Sequence, residues 1–183
     1  MMNVIKTKIE DLLIIEPKYF GDARGYFFES YQEQKYIEIG IPYKFVQDNR
    51  SRSIKGVLRG LHFQKTKPQG KLVSVLSGEV LDVAVDLRPD SKTFGQHEAV
   101  ILSEENNRQL FVPPGFAHGF LVLSEVADFY YKCTDYYDPS DEGGLIWNDK
   151  DLAIEWGVKC PTLSEKDSIL STFKEYLNGE GKA

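Results

Sequence analysis

The residues with the most chemical potential in this chain are a few histidines and the cation, hydroxyl and carboxylate groups that the strand pattern could bring to them. His62 lies in Arg59-Gly60-Leu61-His62-Phe63, inside a strand-like run. Its alternate neighbours Leu58, Gly60 and Gln64 make a face that is not purely apolar. Lys71 opens the next strand-like run. A base and a cation meeting in one cavity could remove a proton and hold the resulting enolate. Each feature also has a plainer explanation. A lone strand histidine is commonly a core residue, and Lys71 could be a strand-end surface charge. Tyr131 sits in the aromatic run Phe129-Tyr130-Tyr131, where alternation places Phe129, Tyr131 and Cys133 on one face, so Tyr131 points inward as core or as a reactive hydroxyl. Asp167 closes Ser164-Glu165-Lys166-Asp167, which has the form of a helix capping box. Arg24 could be a turn charge and Glu29 a strand-edge gatekeeper. His97 follows a turn and reads as an exposed strand residue.

Most of the elements that must position these groups read as short strands. Candidates are Val4–Ile9, Leu12–Glu16, Gly25–Ser30, Lys44–Asn49, Val57–Gln64, Leu72–Leu76, Val80–Leu87, His97–Leu102, Gln109–Val112, His118–Leu123 and Ala127–Thr134. Turn residues separate most of them, among them Gly21-Asp22, Lys55-Gly56, Ser77-Gly78, Pro89-Asp90 and Pro113-Pro114-Gly115. Many short strands at this spacing predict a sandwich or barrel. Helical signals are few: Gln32–Ile39, ending at Gly40, and a C-terminal segment from about Ser164 with Ile169, Leu170, Phe173 and Leu177 at helical spacing. The tail Gly179–Ala183 is expected to be loose. No repeat, linker or low-complexity stretch interrupts the chain, so its 183 residues are expected to form one domain.

Composition narrows the function classes. With 42% hydrophobic and 27% charged residues, the balance is that of a globular protein. A net charge of −6 argues against sequence-independent nucleic-acid binding, which needs a basic footprint. A few clustered arginines could still bind a phosphate group. Cys133 and Cys160 form no CxxC pair and suggest reduced thiols in a cytoplasmic protein. The opening MMNVIKTKIEDLL alternates apolar and charged residues and matches neither a signal peptide nor a membrane span.

Pro113-x-Gly115-x-x-His118 resembles the second signature of the cupin barrel, which predicts a mainly β fold, a jelly-roll β-barrel with a few short helices. Metal-binding cupins usually carry His-x-His and a nearby Glu on the earlier strand; here that strand offers His62 and then Gln64. One histidine from each strand is too few for a metal shell, so no metal is expected.

A more specific resemblance runs along nearly the whole chain. Phe20–Ser30, Phe45–Asn49, Val57–Gln64, Gln69-Gly70-Lys71-Leu72-Val73, Asp82–Arg88, Pro114–Phe120, Tyr131-Lys132-Cys133-Thr134 and Leu163–Asp167, in this order, are similar to the dTDP-4-dehydrorhamnose 3,5-epimerase family. Pro114 stands where that family often has Glu, in a turn. The resemblance implies that His62 is the base and Asp167 its partner, that Lys71 stabilises the enolate oxygen, and that Tyr131 is the acid on the opposite face of the sugar. His118 would lie near the keto oxygen. Arg24, Glu29, Gln47, Asn49, Arg59, Tyr137, Glu142 and Lys166 would line the nucleotide-sugar site. It further implies a cofactor-independent homodimer. The N-terminal strands would lie at the interface, with Arg24 and Glu29 contributing across it.

The implied reaction inverts C3 and C5 of dTDP-4-dehydro-6-deoxy-D-glucose to give dTDP-4-dehydro-L-rhamnose, a precursor of surface polysaccharide. Alternatives are a related epimerase with one target carbon or another nucleotide, a metal-dependent cupin enzyme, and a non-catalytic sugar-binding cupin. In a regular strand Arg59 and His62 face opposite sides. If both meet substrate, either Gly60 permits a bulge or Arg59 serves a neighbouring layer or subunit.

Overall fold

The structure is a computed structural model and describes residues 2–179. Its strands are β1 (Asn3–Lys6), β2 (Leu13–Glu16), β3 (Tyr19–Asp22), β4 (Gly25–Phe28), β5 (Gln47–Ile54), β6 (Leu58–Gln64), β7 (Lys71–Ser77), β8 (Glu79–Asp86), β9 (His97–Ser103), β10 (Gln109–Val112), β11 (Phe116–Val122), β12 (Val126–Cys133) and β13 (Glu142–Gly144). Three short helices accompany them: α1 (Glu33–Glu38), α2 (Glu165–Ser168) and α3 (Phe173–Leu177). Two antiparallel sheets, ordered β1-β2-β10-β7-β12-β5 and β13-β6-β11-β8-β9, face each other as a cupin-like jelly roll, and β3 and β4 form a separate hairpin.

Period-two alternation explains the layers. Val73 and Val75 of β7, Ala127 and Phe129 of β12, Val80 and Ala84 of β8, and Phe116, Phe120 and Val122 of β11 all turn into the space between the sheets. Phe120 and Phe129 stack there with ring centroids 3.9 Å apart. Full burial of one such ring stabilises the fold by roughly 1.5–3 kcal/mol. On the same inward faces, toward one end of the barrel, Lys71, His118 and Tyr131 interrupt the apolar sequence. One end of the barrel is thus a dry core and the other a polar cavity. The residues between, such as Val83, Val85, Ala117 and Leu121, point outward and are covered by Leu145, Leu152 and Trp156 of the C-terminal segment. Tyr36 and Ile41, around α1, cover Leu13, Ile15, Leu72 and Phe111 on the other sheet.

Several elements differ from their sequence-based expectation. The strand expected at Lys44–Asn49 runs instead over Gln47–Ile54. It is an edge strand, with Asp48, Arg50 and Arg52 in solvent and Gln47 and Asn49 in the polar cavity, so it carries no apolar alternation. Gly21-Asp22, read as a turn, belongs to β3; the turn lies between Asp22 and Gly25, where Asp22 Oδ1 accepts from the Arg24 backbone N–H at 2.8 Å. The helical spacing after Ser164 resolves into two helices. Thr172 restarts the chain with a full capping box to Glu175, and Ser171 bridges to Leu145 between them. His97 is half-buried rather than exposed, and its ring hydrogen-bonds the Leu152 backbone. Beyond Gly179 the expected loose tail lies outside the described residues.

Candidate active site

The cavity at the polar end has two communicating lobes of about 290 and about 500 Å³ that share His62, Lys71, Tyr131, Tyr137 and Glu142. A bulge in β6 decides what the larger lobe contains. Opposite β6, His118 pairs with His62 and Phe120 with Arg59, so two steps on β11 span three on β6. Gly60 takes up the extra residue at φ +117°. A Cβ there would stand 2.6 Å from Gly119 Cα, and one on Gly119 would stand 2.6 Å from the Arg59 carbonyl oxygen. Glycine at both positions therefore allows the close approach. Arg59 and His62 consequently line the same lobe instead of opposite faces, and the Arg59 Nε donates to Ser53 Oγ at 3.1 Å.

His62 Nε2 meets Asp167 Oδ1 at 2.6 Å. Asp167 is placed by α2, whose first turn is capped by Ser164 accepting the Asp167 N–H at 3.0 Å. The other half of that capping box is absent, because the Asp167 carboxylate turns to His62. Burial pushes the Asp167 carboxyl up, but His62, the Gly60 backbone N–H and Ser164 outweigh it and hold the group below the usual carboxylate range. An ionised carboxylate accepts, so His62 Nε2 carries the hydrogen and Nδ1 keeps the free lone pair.

Beside it on the same sheet stands a second pair, His118 Nε2 with Asp82 Oδ1 and Oδ2 at 2.9 and 3.0 Å. Burial lowers the His118 pKa while the Asp82 charge opposes it. Sequence reasoning missed Asp82. The available signal was a carboxylate on the inward face of β8, between Val80 and Ala84. Lys71 is half-buried, and desolvation pushes its ammonium down in pKa, with Cys133, Asp82 and Glu142 as the counteracting influences. Its Nζ lies 5.9 Å from the Tyr131 ring centroid and forms no ion pair among the described residues. Burial raises the Tyr131 phenol, keeping it protonated.

Polar groups from separate segments surround the mouth. Gln47 Nε2 donates to Asn49 Oδ1 at 3.1 Å, and Gln47 Oε1 accepts from the Tyr137 N–H at 3.0 Å. Glu142 accepts from the Tyr137 hydroxyl and pairs with Lys166 at 2.9 Å. The hydrogen bond to Glu142 pushes the Tyr137 phenol up to about 12. Of the thirteen site residues expected from the sequence, Arg24 and Glu29 are the two that lie outside this cavity. Arg24 stands 90% exposed at the tip of the β3–β4 hairpin, bound to Asp22, and Glu29 pairs with Lys35. Among the described residues no group of three or more His, Cys, Asp or Glu side chains could hold a metal ion, and no helix is long and apolar enough to cross a membrane.

Comparison with known proteins bears on which chemistry such a cavity serves. Residues 6–175 match the family model described as dTDP-4-dehydrorhamnose 3,5-epimerase. The enzyme of that name from Salmonella typhimurium is 60% identical over 97% of this chain and 98% of its own length. The Escherichia coli enzyme is 53% identical over 96% and 97%. Among solved structures, the dTDP-6-deoxy-D-glucose-3,5-epimerase of Legionella pneumophila, in complex with dTDP-4-keto-L-rhamnose, superimposes with a TM-score of 0.92 at 57% identity, covering 95% of this chain and 94% of that one. The Bacillus anthracis enzyme with TDP and pyrophosphate bound gives 0.93 at 49% identity, covering 94% and 100%.

Proposed function

The chain belongs to the dTDP-4-dehydrorhamnose 3,5-epimerase family, and we propose that His62, Asp167, Lys71 and Tyr131 perform its reaction on dTDP-4-dehydro-6-deoxy-D-glucose. It is an epimerase acting on a dTDP-linked 4-keto sugar. The observation that carries the residue roles is the convergence of a carboxylate-bound imidazole, a half-buried cation with no ion pair among the described residues, and a protonated, half-buried phenol on one cavity. They come from four separate elements, β6, β7, β12 and α2.

The C4 ketone acidifies the protons at C3 and C5. His62 Nδ1 takes one of them, and the C–H electron pair flows into the C–C bond as the ketone becomes an enolate. Asp167 keeps the imidazole in the required tautomer and stabilises its protonated form. Lys71, with His118 beside it, holds the enolate oxygen. A cation held in a cavity away from bulk water, with no carboxylate bound to it, gains most when an anion forms next to it. Tyr131 then donates its phenolic proton to the opposite face, and the C–H bond re-forms with inverted configuration. Once His62 has released its proton to solvent and Tyr131 has regained one, a second round at the other carbon gives dTDP-4-dehydro-L-rhamnose. Arg59 and Lys166 would meet the diphosphate, and Gln47, Asn49, Tyr137 and Glu142 the remaining polar groups of the ligand.

Arg24 and Glu29 fit this scheme if a second copy of the chain brings its hairpin to the cavity. Tyr19, Phe20, Tyr26 and Phe27 leave that hairpin broadly exposed and apolar, which supports a homodimer. The two free cysteines are in keeping with a cytoplasmic setting, and the whole chain is proposed as one catalytic domain. Proton NMR of the 4-keto sugar nucleotide with the enzyme in deuterated water tests the reaction directly. Deuterium should enter at both C3 and C5 as product forms. Exchange at C3 alone would make this a single-carbon epimerase.

A further inference from the structure

Behind the wall of the smaller lobe lies a carboxylate that touches no ligand space yet ties two of the cavity's loops together. Asp141 accepts the Thr66 backbone N–H at 3.0 Å, the Thr66 hydroxyl at 2.8 Å, the Lys67 N–H at 3.0 Å and the Gln64 amide at 3.3 Å. Its own backbone carbonyl accepts from the Lys65 N–H at 2.9 Å. The Gln64 amide oxygen in turn accepts from the Asp138 N–H at 3.1 Å. At the far end of the same loop, Gly70 N–H donates to Thr134 Oγ1 at 2.7 Å and Gln69 Nε2 to the Asp135 carbonyl at 2.7 Å. Residues 65–70 are therefore fastened to residues 134–142 at both ends. Gln69 faces the cavity from the first segment, with Gln64 at the end of β6 just before it, and Tyr137 and Glu142 face it from the second.

We infer that Asp141 is a positioning residue for ligand binding: it locks the 65–70 loop to the 138–142 segment so that Gln64, Gln69, Tyr137 and Glu142 present a preformed polar wall. The inference rests on the proposed epimerase function and extends it to a residue outside the cavity. A wall already ordered in the free protein spares the ligand the entropy of ordering it. The catalytic groups have anchors of their own besides β13, His62 in Asp167 and the β11 ladder and Lys71 in its ladder with β10 and β12. Burial pushes the Asp141 carboxyl up, but the Lys67 and Thr66 donors outweigh it and hold the group at about 2, so it stays an anion and an acceptor throughout the working range.

Asp141→Asn keeps the shape but turns an NH2 group toward backbone donors. It should raise KM, and the Kd for dTDP measured by calorimetry, about tenfold while kcat stays within about twofold, the signature of lost ligand binding that is uniform along the reaction. Amide exchange at Thr66 and Lys67 should accelerate while the core strands stay protected. Thr66→Val deletes one of the bonds and should shift KM in the same direction by a smaller factor; it decides the matter if Asp141→Asn fails to fold. Faster loop exchange with unchanged KM and unchanged dTDP affinity would reduce Asp141 to a loop stabiliser and overturn the inference. A wild-type protein that binds dTDP without turning substrate over would count against the proposed function alone, and the dTDP affinities of the variants would still decide the role of Asp141.

Discussion

Asp82 and Asp86 stand four residues apart on the same inward face of β8, and both are 0% exposed. Their surroundings differ completely. Asp86 accepts from the Arg88 backbone N–H, from Arg88 Nε and Nη2, and from the hydroxyls of Ser91 and Thr93, at 2.6 to 3.0 Å. All of these come from the turn that follows its own strand, and Arg88 goes on to Asp11 and the Glu10 carbonyl. Asp82 is bonded to the single imidazole of His118, which in turn lines the cavity. Burial alone therefore does not separate a structural carboxylate from a functional one. The separation lies in how the charge is compensated: by several fixed donors in a closed knot, or by one titratable partner that faces empty space. Asp167 combines the two, since the Gly60 N–H and Ser164 also donate to its carboxylate, while its titratable partner His62 faces the cavity.

The largest effects should come from breaking a carboxylate–imidazole pair in which the imidazole touches substrate. His62→Asn is expected to abolish turnover by a thousandfold or more, to roughly the residual rate left by the other groups, with circular dichroism and Tm unchanged. Asp167→Asn should cost somewhat less, on the order of a hundredfold or more, because the tautomer and orientation of His62 are disturbed but its nitrogen remains. Near-normal kcat in the His62→Asn protein would remove His62 from the mechanism and erase the distinction drawn between the two kinds of carboxylate.

A smaller effect on proton removal, and a larger one on product, is expected at Tyr131. Epimerisation takes a proton from one face and returns one to the other, and a single base that returns its own proton only regenerates substrate. Tyr131→Phe removes the hydroxyl with little change in the packing against Phe129. Deuterium from solvent should still enter the substrate through His62, while inverted product forms about a hundredfold more slowly. If exchange and product formation stay coupled and normal, Tyr131 is a core aromatic. Loss of both in a folded variant would place Tyr131 ahead of enolate formation instead.

How far these contrasts could be read from the chain depends on whether local pattern or long-range placement decides them. Alternation along β7, β8, β11 and β12 was legible, because each strand has an apolar face that must be buried. The strand β5 was misplaced because both its faces meet polar surroundings, and β13, Glu-Gly-Gly, has no apolar residue to signal it. The ordered family motifs pointed to His62, Lys71, Tyr131 and Asp167, yet composition and spacing alone read Asp167 as a cap. Its turn toward His62 depends on a partner 105 residues away. Asp82 and Asp141 escaped notice for the same reason. Their meaning lies in contacts with β11 and with the 65–67 loop, 36 and about 75 residues distant, which no local pattern encodes. The β6 bulge was a stated alternative for Arg59, and it took the close contact between Gly60 and Gly119 to decide it.

The smallest expected effect on catalysis, and the clearest test of the comparison, comes from making the same substitution at both positions of β8. Asp82→Asn should lower kcat by about ten- to a hundredfold, as His118 loses the anion that orients it, with a Tm shift smaller than that of Asp86→Asn. Asp86→Asn should leave kcat of the folded protein unchanged and destabilise it. Burial pushes the Asp86 carboxyl up, but Arg88, Ser91 and Thr93 outweigh it and hold the group at about 2, below its ordinary value of 3.8. A difference of about two pKa units corresponds to roughly 2–3 kcal/mol, or a Tm lower by about 4–12 °C in a chain of this size. The sign of the pH dependence follows from the depressed pKa. The stabilisation is fully present above the unfolded-state value and is lost as pH falls toward 2. The gap in unfolding free energy between wild type and Asp86→Asn, measured by urea titration, should therefore be constant from neutral pH to about 4 and close between about 4 and 2. Asp141, held at a similar value, titrates alike in both proteins and cancels in that difference. A gap that persists at pH 2 would mean that Asp86 acts through shape rather than charge. Equal losses of kcat and of Tm from the two substitutions would mean that the knot and the pair on β8 are energetically one unit.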